Sequence, residues 1–381
     1  MRTDTIPRTM ISSRGVIVLW VAAVAICLIN ALLAENFSRW KDANFMMAWI
    51  VAHMLPMPQV RGELLETAWS HWEEIYGSRQ GLQGDLHTRI PTVDVQEHKD
   101  NLLDFLETNY GANWRRKPLL MKNLWTVQEL ENTERRLSVR GLMHESLTIP
   151  YFTDARRDDA LSPDSKASVG EIVSNITEGQ PHKIGTQFLV QKYPELVTEI
   201  APTSIVTELF GEFFTPDSVR GTGPGLLLPA LTTVPVFVAG GGASLHQPAD
   251  GQNRPYTALH CEPIGNVAVQ LSGVKEWIMV DPKYSFLIRP SLAPDGRAFF
   301  ASWKSIQDMQ VPYYSATTAA GDALWVPTWT WHRVDYTPSD DIAIGGSLFH
   351  FRPKDFLVNN PLFAVMAVPA MLKELLGMSS Q

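Results

Sequence analysis

The sequence predicts a mainly β fold with helical additions, preceded by a single N-terminal transmembrane helix. Two observations carry the β part. After Val234 the chain breaks into short β-prone runs separated by Gly-, Pro- and Asn-containing turns, as an all-β core requires. Within that region, residues 267–271 and 274–280 flank Ser272-Gly273, a two-residue turn signal that reads as a tight hairpin. The third observation is residues 15–34 (GVIVLWVAAVAICLINALLA), an uncharged, mainly apolar run just long enough to cross a bilayer as a helix.

The 381 residues, 45% of them hydrophobic, suffice for one large or two ordinary domains. A net charge of -8 argues against a nucleic-acid surface. The two cysteines, Cys27 and Cys261, are far apart, which excludes a disulfide framework and a four-cysteine zinc site. Arg2, Arg8 and Arg14 precede the apolar run, while Glu35, Arg39, Lys41 and Asp42 behind it roughly cancel. The positive-inside rule then leaves residues 1–14 as a cytosolic tail, residues 15–34 as a signal anchor, and the rest lumenal or extracellular, in the endoplasmic reticulum or Golgi. Ala23-Val24-Ala25 offers a cleaved signal peptide as the alternative. The sequons at Asn36 and Asn175 fit a lumenal face.

Residues 35–93 read as a stem. It holds a buried or membrane-proximal helix at 44–57, an amphipathic helix at 64–76 and a linker at 77–92. A compact domain is expected over residues 94–352. It opens with a helix at 102–110 and a strand at 117–121, has an exposed loop at 154–166 and helical signals at 189–209, and carries its strand-rich core at 234–352. The glycines at 239–243 lack the strand-loop-helix context of a phosphate loop and read as a flexible turn. Residues 353–381 form a C-terminal segment with Pro369 inside an apolar run. It is expected to dimerise, to dock on the membrane or to pack on the domain.

The chemistry concentrates at His260-Cys261-Glu262. On a strand, residues i and i+2 share a face, so His260 and Glu262 project together while Cys261 points away. His332, in phase with Thr330 and Val334, is placed to add a third donor. Two histidines and one carboxylate form a facial triad that leaves three positions on Fe(II) for a bidentate co-substrate and dioxygen. His246 is the competing ligand, but Pro248 stands where a paired carboxylate is needed. Lys275 lies in phase with Trp277 and Met279, where burial would call for an anion. Alternatively it faces solvent, and Val274, Ile278 and Val280 face the core. Trp325, Trp329 and Trp331 read as core packing, with an aromatic wall around the metal as the other option; His350 reads as structural.

His260-x-Glu262, Asn266, Gly273-x-Lys275-x-Trp277 and Gly321-Asp322-x-Leu324-x-Val326-Pro327 leading to His332 resemble the Jumonji C (cupin-like) Fe(II)/2-oxoglutarate oxygenases. The hydroxylase branch containing the asparaginyl hydroxylases is the most similar. The resemblance implies a double-stranded β-helix (cupin/jelly-roll) core and iron held by His260, Glu262 and His332. It implies 2-oxoglutarate bound by Thr257, Asn266 and Lys275, with Lys275 on the far carboxylate, and a further co-substrate or metal-water contact at Ser347. The implied reaction hydroxylates a protein side chain or small molecule, with no catalytic residue beyond the metal ligands. The sequence departs from the family where residues 244–256 separate the glycine turn from His260. A non-redox Zn or Mn cupin enzyme and a degenerate lumenal binding protein are the competing classes.

Overall fold

The computed structural model describes residues 49, 52–53, 62–70, 86–131, 135–156, 163–210, 233–240, 255–293, 298–302, 310–336 and 342–375. Strands are numbered in chain order. The first six are β1 His87–Arg89, β2 Thr92–Asp94, β3 Leu119–Lys122, β4 Thr148–Tyr151, β5 Ser165–Ser168 and β6 Lys183–Thr186. The next five are β7 Val236–Ala239, β8 Tyr256–Cys261, β9 Gly265–Ser272, β10 Lys275–Val280 and β11 Pro290–Leu292. The last five are β12 Phe300–Ser302, β13 Tyr313–Thr318, β14 Ala323–Val326, β15 Trp331–Tyr336 and β16 Ala343–His350. One seven-stranded sheet has the order β1-β13-β10-β15-β8-β12-β11, and a second has β2-β3-β14-β9-β16-β7-β6.

The sheets share an apolar layer. Trp277, Met279, Ala316 and Val334 of the first sheet meet Leu120, Ala268, Leu324 and Val326 of the second in one buried cluster. The outer face of the second sheet is covered by helices. In Val169–Thr177, Ser168 caps the start, and Val169, Ile172, Val173 and Ile176 repeat at helical spacing toward the core. The outer face of the first sheet is covered by Trp49, by the helical residues 62–70 and by helix Pro361–Leu375. There the Phe363 and Phe300 rings stack 3.9 Å apart.

Three expectations are corrected. Residues 267–280 do not form a hairpin: β9 belongs to the second sheet and β10 to the first. The Ser272-Gly273 turn is a corner between sheets. Gly273 takes φ 67 there, and a Cβ on it would lie 2.8 Å from the Ala343 backbone. Seven of the eight β9 residues are buried, because β9 has β14 and β16 on its flanks and packed matter on both faces.

The expected double-stranded β-helix gives way to two large mixed sheets. β1 comes from the stretch read as a linker and β2 starts at its last residue; they pair in parallel with β13 and β3, and β6 also lies before the expected core. These pairings join residues far apart in sequence, so no local pattern announced them.

The expected membrane anchor is also withdrawn, and with it the lumenal placement. Among the described residues no helix is long and apolar enough to cross a membrane. The run 15–34 itself lies outside the described residues. Within the stretch 44–57, Trp49 is fully buried, its indole N–H donating to the Pro290 carbonyl at 3.1 Å. Leu292 N–H donates to His53 Nε2 at 3.1 Å. These residues take part in the domain core.

Candidate metal centre

β8 and β15 lie side by side, antiparallel, with His260 directly opposite His332. Directly opposed side chains on neighbouring strands come within about 5 Å at Cβ, and the two imidazole centroids are 4.2 Å apart. Glu262 follows the end of β8, where the chain crosses to the second sheet. Its carbonyl accepts the Trp329 N–H at 2.9 Å. Trp329 makes that contact from a left-handed conformation (φ 64), unusual for a bulky residue and fixed here by complete burial. One ligand atom from each of His260, Glu262 and His332 lies within 4.8 Å of the others. Cys261 points to the opposite side, into the outer aromatic cluster.

Both histidines are held in the form a metal needs. His260 Nδ1 lies 2.7 Å from the Ala258 carbonyl, and His332 Nδ1 lies 3.1 Å from the Thr330 carbonyl. A carbonyl only accepts, so each Nδ1 carries the proton and each lone pair sits on Nε2. Burial pushes the His332 pKa down to about 4, keeping the ring neutral near pH 7. The donor set of two imidazoles and one carboxylate fits a divalent transition metal.

The triad lines a cavity of about 700 Å³ between the sheets. Lys275, on the β10 neighbour of β15, is buried and lines the same cavity, so the solvent-facing alternative is ruled out. Its Nζ lies 5.4 Å from the Tyr336 ring centroid and 5.8 Å from that of Phe237. Burial lowers its pKa to about 7. Gly345 makes room for it: a Cβ there would come 3.0 Å from Lys275 Nζ and 2.6 Å from the Val269 carbonyl oxygen.

Thr257 reaches the cavity through a bulge. It precedes His260 by three, which on a regular strand puts the two on opposite faces. The register shifts here, with Val334 opposite Thr257 while His332 is opposite His260, so β8 holds one extra residue. Both side chains then line the cavity.

Asn266 and Ser347 line it from the second sheet, both buried. Asn266 Oδ1 has no hydrogen-bond partner among the described residues. The structure therefore gathers Thr257, His260, Glu262, Asn266, Lys275, His332 and Ser347 around one cavity. His246 and residues 244–254 fall outside the described residues.

Trp329 and Trp331 belong to the outer cluster and Trp325 to the helix-covered core; the aromatics beside the triad are Phe299, 6.0 Å from His260, and Trp277, 6.2 Å from His332, between ring centroids. Asp322 of the Gly-Asp turn has a structural task, pairing with Lys122 and accepting the Ala319 N–H at 2.9 Å. Sequence reasoning missed Lys183 and Tyr336. Tyr336 is buried and hydrogen-bonds Thr257. Lys183 is buried on β6, and its Nζ lies 3.3 Å from the Tyr256 carbonyl and 3.4 Å from Thr257 Oγ1. Neither a family model nor a curated protein matches this chain.

Proposed function

We propose that this chain is an Fe(II)- and 2-oxoglutarate-dependent dioxygenase that hydroxylates a protein side chain or a small molecule, akin to the Jumonji C hydroxylases its motifs resemble. The observation that carries the reading is one cavity holding two histidines, a carboxylate and a buried lysine. Iron held there supplies the coupling of dioxygen reduction and 2-oxo acid oxidation to substrate hydroxylation.

The chain's own residues bind and orient. His260 and His332 present Nε2, and Glu262 supplies the single ligand charge. Lys275 meets the far carboxylate of the co-substrate, which would return charge compensation to a desolvated ammonium. Asn266 lines the cavity with a side-chain amide, whose N–H is the donor a carboxylate oxygen needs, and Thr257 with a hydroxyl already aligned by Tyr336. Trp277, whose indole N–H is tied to Thr318 Oγ1 at 3.0 Å, forms a fixed wall that keeps water from the space beside His332. A zinc or manganese enzyme using the same three ligands gives Lys275 no duty, so the lysine favours the oxygenase.

The test is succinate release from 2-oxoglutarate by the iron-loaded full chain. Glu262→Ala is expected to lose most of its iron and turnover, and Glu262→Asp to keep part of both. Iron retention by Glu262→Ala at the wild-type level would overturn the ligand set. Wild-type protein that binds iron yet neither binds nor consumes 2-oxoglutarate would overturn the activity.

A further inference from the structure

The cavity runs along its strands, and the proposed co-substrate uses only part of it. On β10, Met279 lies opposite His332, while Lys275 lies opposite Tyr336, four residues further along. At about 3.3 Å per residue, the place of the lysine on its strand is roughly 13 Å from that of the triad. Thr257 belongs to the same end, where it hydrogen-bonds Tyr336. A co-substrate held by Lys275 therefore fills the space on the Tyr336 side of the metal ligands. A cavity of about 700 Å³ has the size of a pocket for a drug-sized ligand, more than a five-carbon acid fills.

The remaining space lies on the other side of the triad. β8 has β15 on one flank and β12 on the other. Ala301 of β12 lies directly opposite His260, as His332 does on the other flank, so its methyl group shares the cavity face with the His260 ring. Phe299, two residues back and on the same face, stands edge-on to that ring at 6.0 Å between centroids. Phe300 between them points outward, onto Phe363. From the second sheet, Phe349 of β16 lies opposite Asn266, where the chain has just entered β9 after Glu262. Phe299 and Phe349 thus approach the Glu262 end of the cavity from the two sheets, and with Ala301 they line it half-buried.

Charged side chains gather elsewhere. Among the described residues lining the cavity, Lys183 lies 3.4 Å from Thr257 Oγ1 and so belongs with Lys275 to the Tyr336 side, while Asp164 and Lys166 are exposed. Glu262 is committed to the triad. An ionised group entering beside Ala301, Phe299 and Phe349 would lose its water against apolar walls, whereas a ring or an alkyl group gains by burial there. We propose that these three residues form the substrate pocket of the site, that it takes an uncharged aromatic or aliphatic group, and that Ala301 limits the size of that group. This rests on the dioxygenase reading for calling the guest a substrate. The pocket and its selectivity are measured without turnover.

The test titrates N-acetylphenylalanine amide, and N-acetylaspartate amide as its charged counterpart, into anaerobic iron-loaded full chain with 2-oxoglutarate bound. Wild type is expected to favour the phenylalanine probe by roughly tenfold or more, the worth of burying its ring. Ala301→Val and Ala301→Leu, which put added methyl groups into the pocket, should weaken that probe by roughly tenfold or more, with 2-oxoglutarate affinity within about twofold of wild type. A measurement on wild type guards against variants that fail to fold: the phenylalanine probe and 2-oxoglutarate should bind together, neither displacing the other. Mutual displacement would put the probe at the Lys275 end and overturn the proposal. So would undiminished probe binding by folded Ala301→Leu, equal or tighter binding of the aspartate probe, or no detectable binding of the phenylalanine probe. Toluene separates the sources of the guest: affinity matching the phenylalanine probe upholds the pocket for a small molecule, and weaker affinity upholds it for a peptide side chain. Wild type that binds the phenylalanine probe with the same dependence on Ala301, yet binds no 2-oxoglutarate, would refute the dioxygenase reading and leave the pocket standing.

Discussion

The two faces of the first sheet are built on opposite terms. On β15, Trp331 points outward and His332 inward. The outer face is a dry aromatic layer in which the indole N–H groups of Trp49, Trp329 and Trp331 donate to Pro290 O, Phe356 O and Ser285 Oγ. The inner face holds a desolvated lysine and two histidines whose Nδ1–H groups are tied to backbone carbonyls, and across the cavity it meets an asparagine oxygen without a partner among the described residues. A buried polar group left unpaired costs about 1–3 kcal/mol. The outer face therefore stabilises the sheet, and burial of the lysine on the inner face spends part of that stability.

Variants on the two faces should separate in sign. The largest effect is expected from Phe363→Ala, which removes a ring stacked on Phe300 and packed near Trp329 and Trp331. It should lower unfolding free energy by roughly 3–5 kcal/mol in denaturant titration, with iron stoichiometry unchanged in the folded fraction.

Lys275→Met should act in the opposite direction. Burial takes this lysine from 10.5 to about 7, so between those values the unfolded chain binds a proton that the folded chain does not. Stability of the metal-free wild type therefore rises with pH across that window, by about 1.4 kcal/mol per unit at most. Below pH 7 the full cost is present. Lys275→Met is expected to raise the thermal midpoint at pH 6 and to flatten the rise between pH 7 and 10. An unchanged pH profile would mean that Lys275 is solvated.

Acid should expose a related cost. Burial lowers His332 and His350 from 6.5 to about 4, with Arg352 adding to the shift at His350. The unfolded chain takes up both protons first, so stability is lost as pH falls from 6.5 toward 4, at up to about 1.4 kcal/mol per unit for each histidine. His350→Gln, away from the triad, should remove about half of that slope in the metal-free protein.

The smallest effect on stability is expected at Asn266. Its unpartnered oxygen contributes little to the fold, so Asn266→Ala should shift unfolding by less than about 1 kcal/mol while weakening 2-oxoglutarate binding. A large stability loss with unchanged binding would place Asn266 among the structural residues.

The parts of the site legible in the sequence were those written in local periodicity. Alternation at 260–262 put His260 and Glu262 together, and the Gly321-Asp322 lead-in pointed to His332. The inward phase of Lys275 followed only from the structure, because Val274, Ile278 and Val280 made an equally apolar face. Thr257 sits inward by virtue of a bulge that alternation alone does not reveal. Lys183 gave no motif; its one signal was a lysine alternating with Gly185 in a short strand, and its place depends on β6 joining β7 at a sheet edge. The corner at Gly273 reads like a hairpin turn locally, and only the burial of β9 distinguishes them.

On the proposed function, His260, Glu262 and His332 hold the metal and Lys275 holds an acidic co-substrate beside it. Calorimetric titration of 2-oxoglutarate into anaerobic, iron-loaded Lys275→Ala tests it most directly, with wild type and His332→Ala alongside. A charge-assisted contact of about 1.5–3 kcal/mol predicts a loss of roughly one to two orders of magnitude in affinity for Lys275→Ala. Its iron content should stay near that of wild type, while His332→Ala should lose both iron and co-substrate. Wild-type affinity in Lys275→Ala would place the co-substrate carboxylate elsewhere, and unchanged iron in His332→Ala would remove His332 from the ligand set.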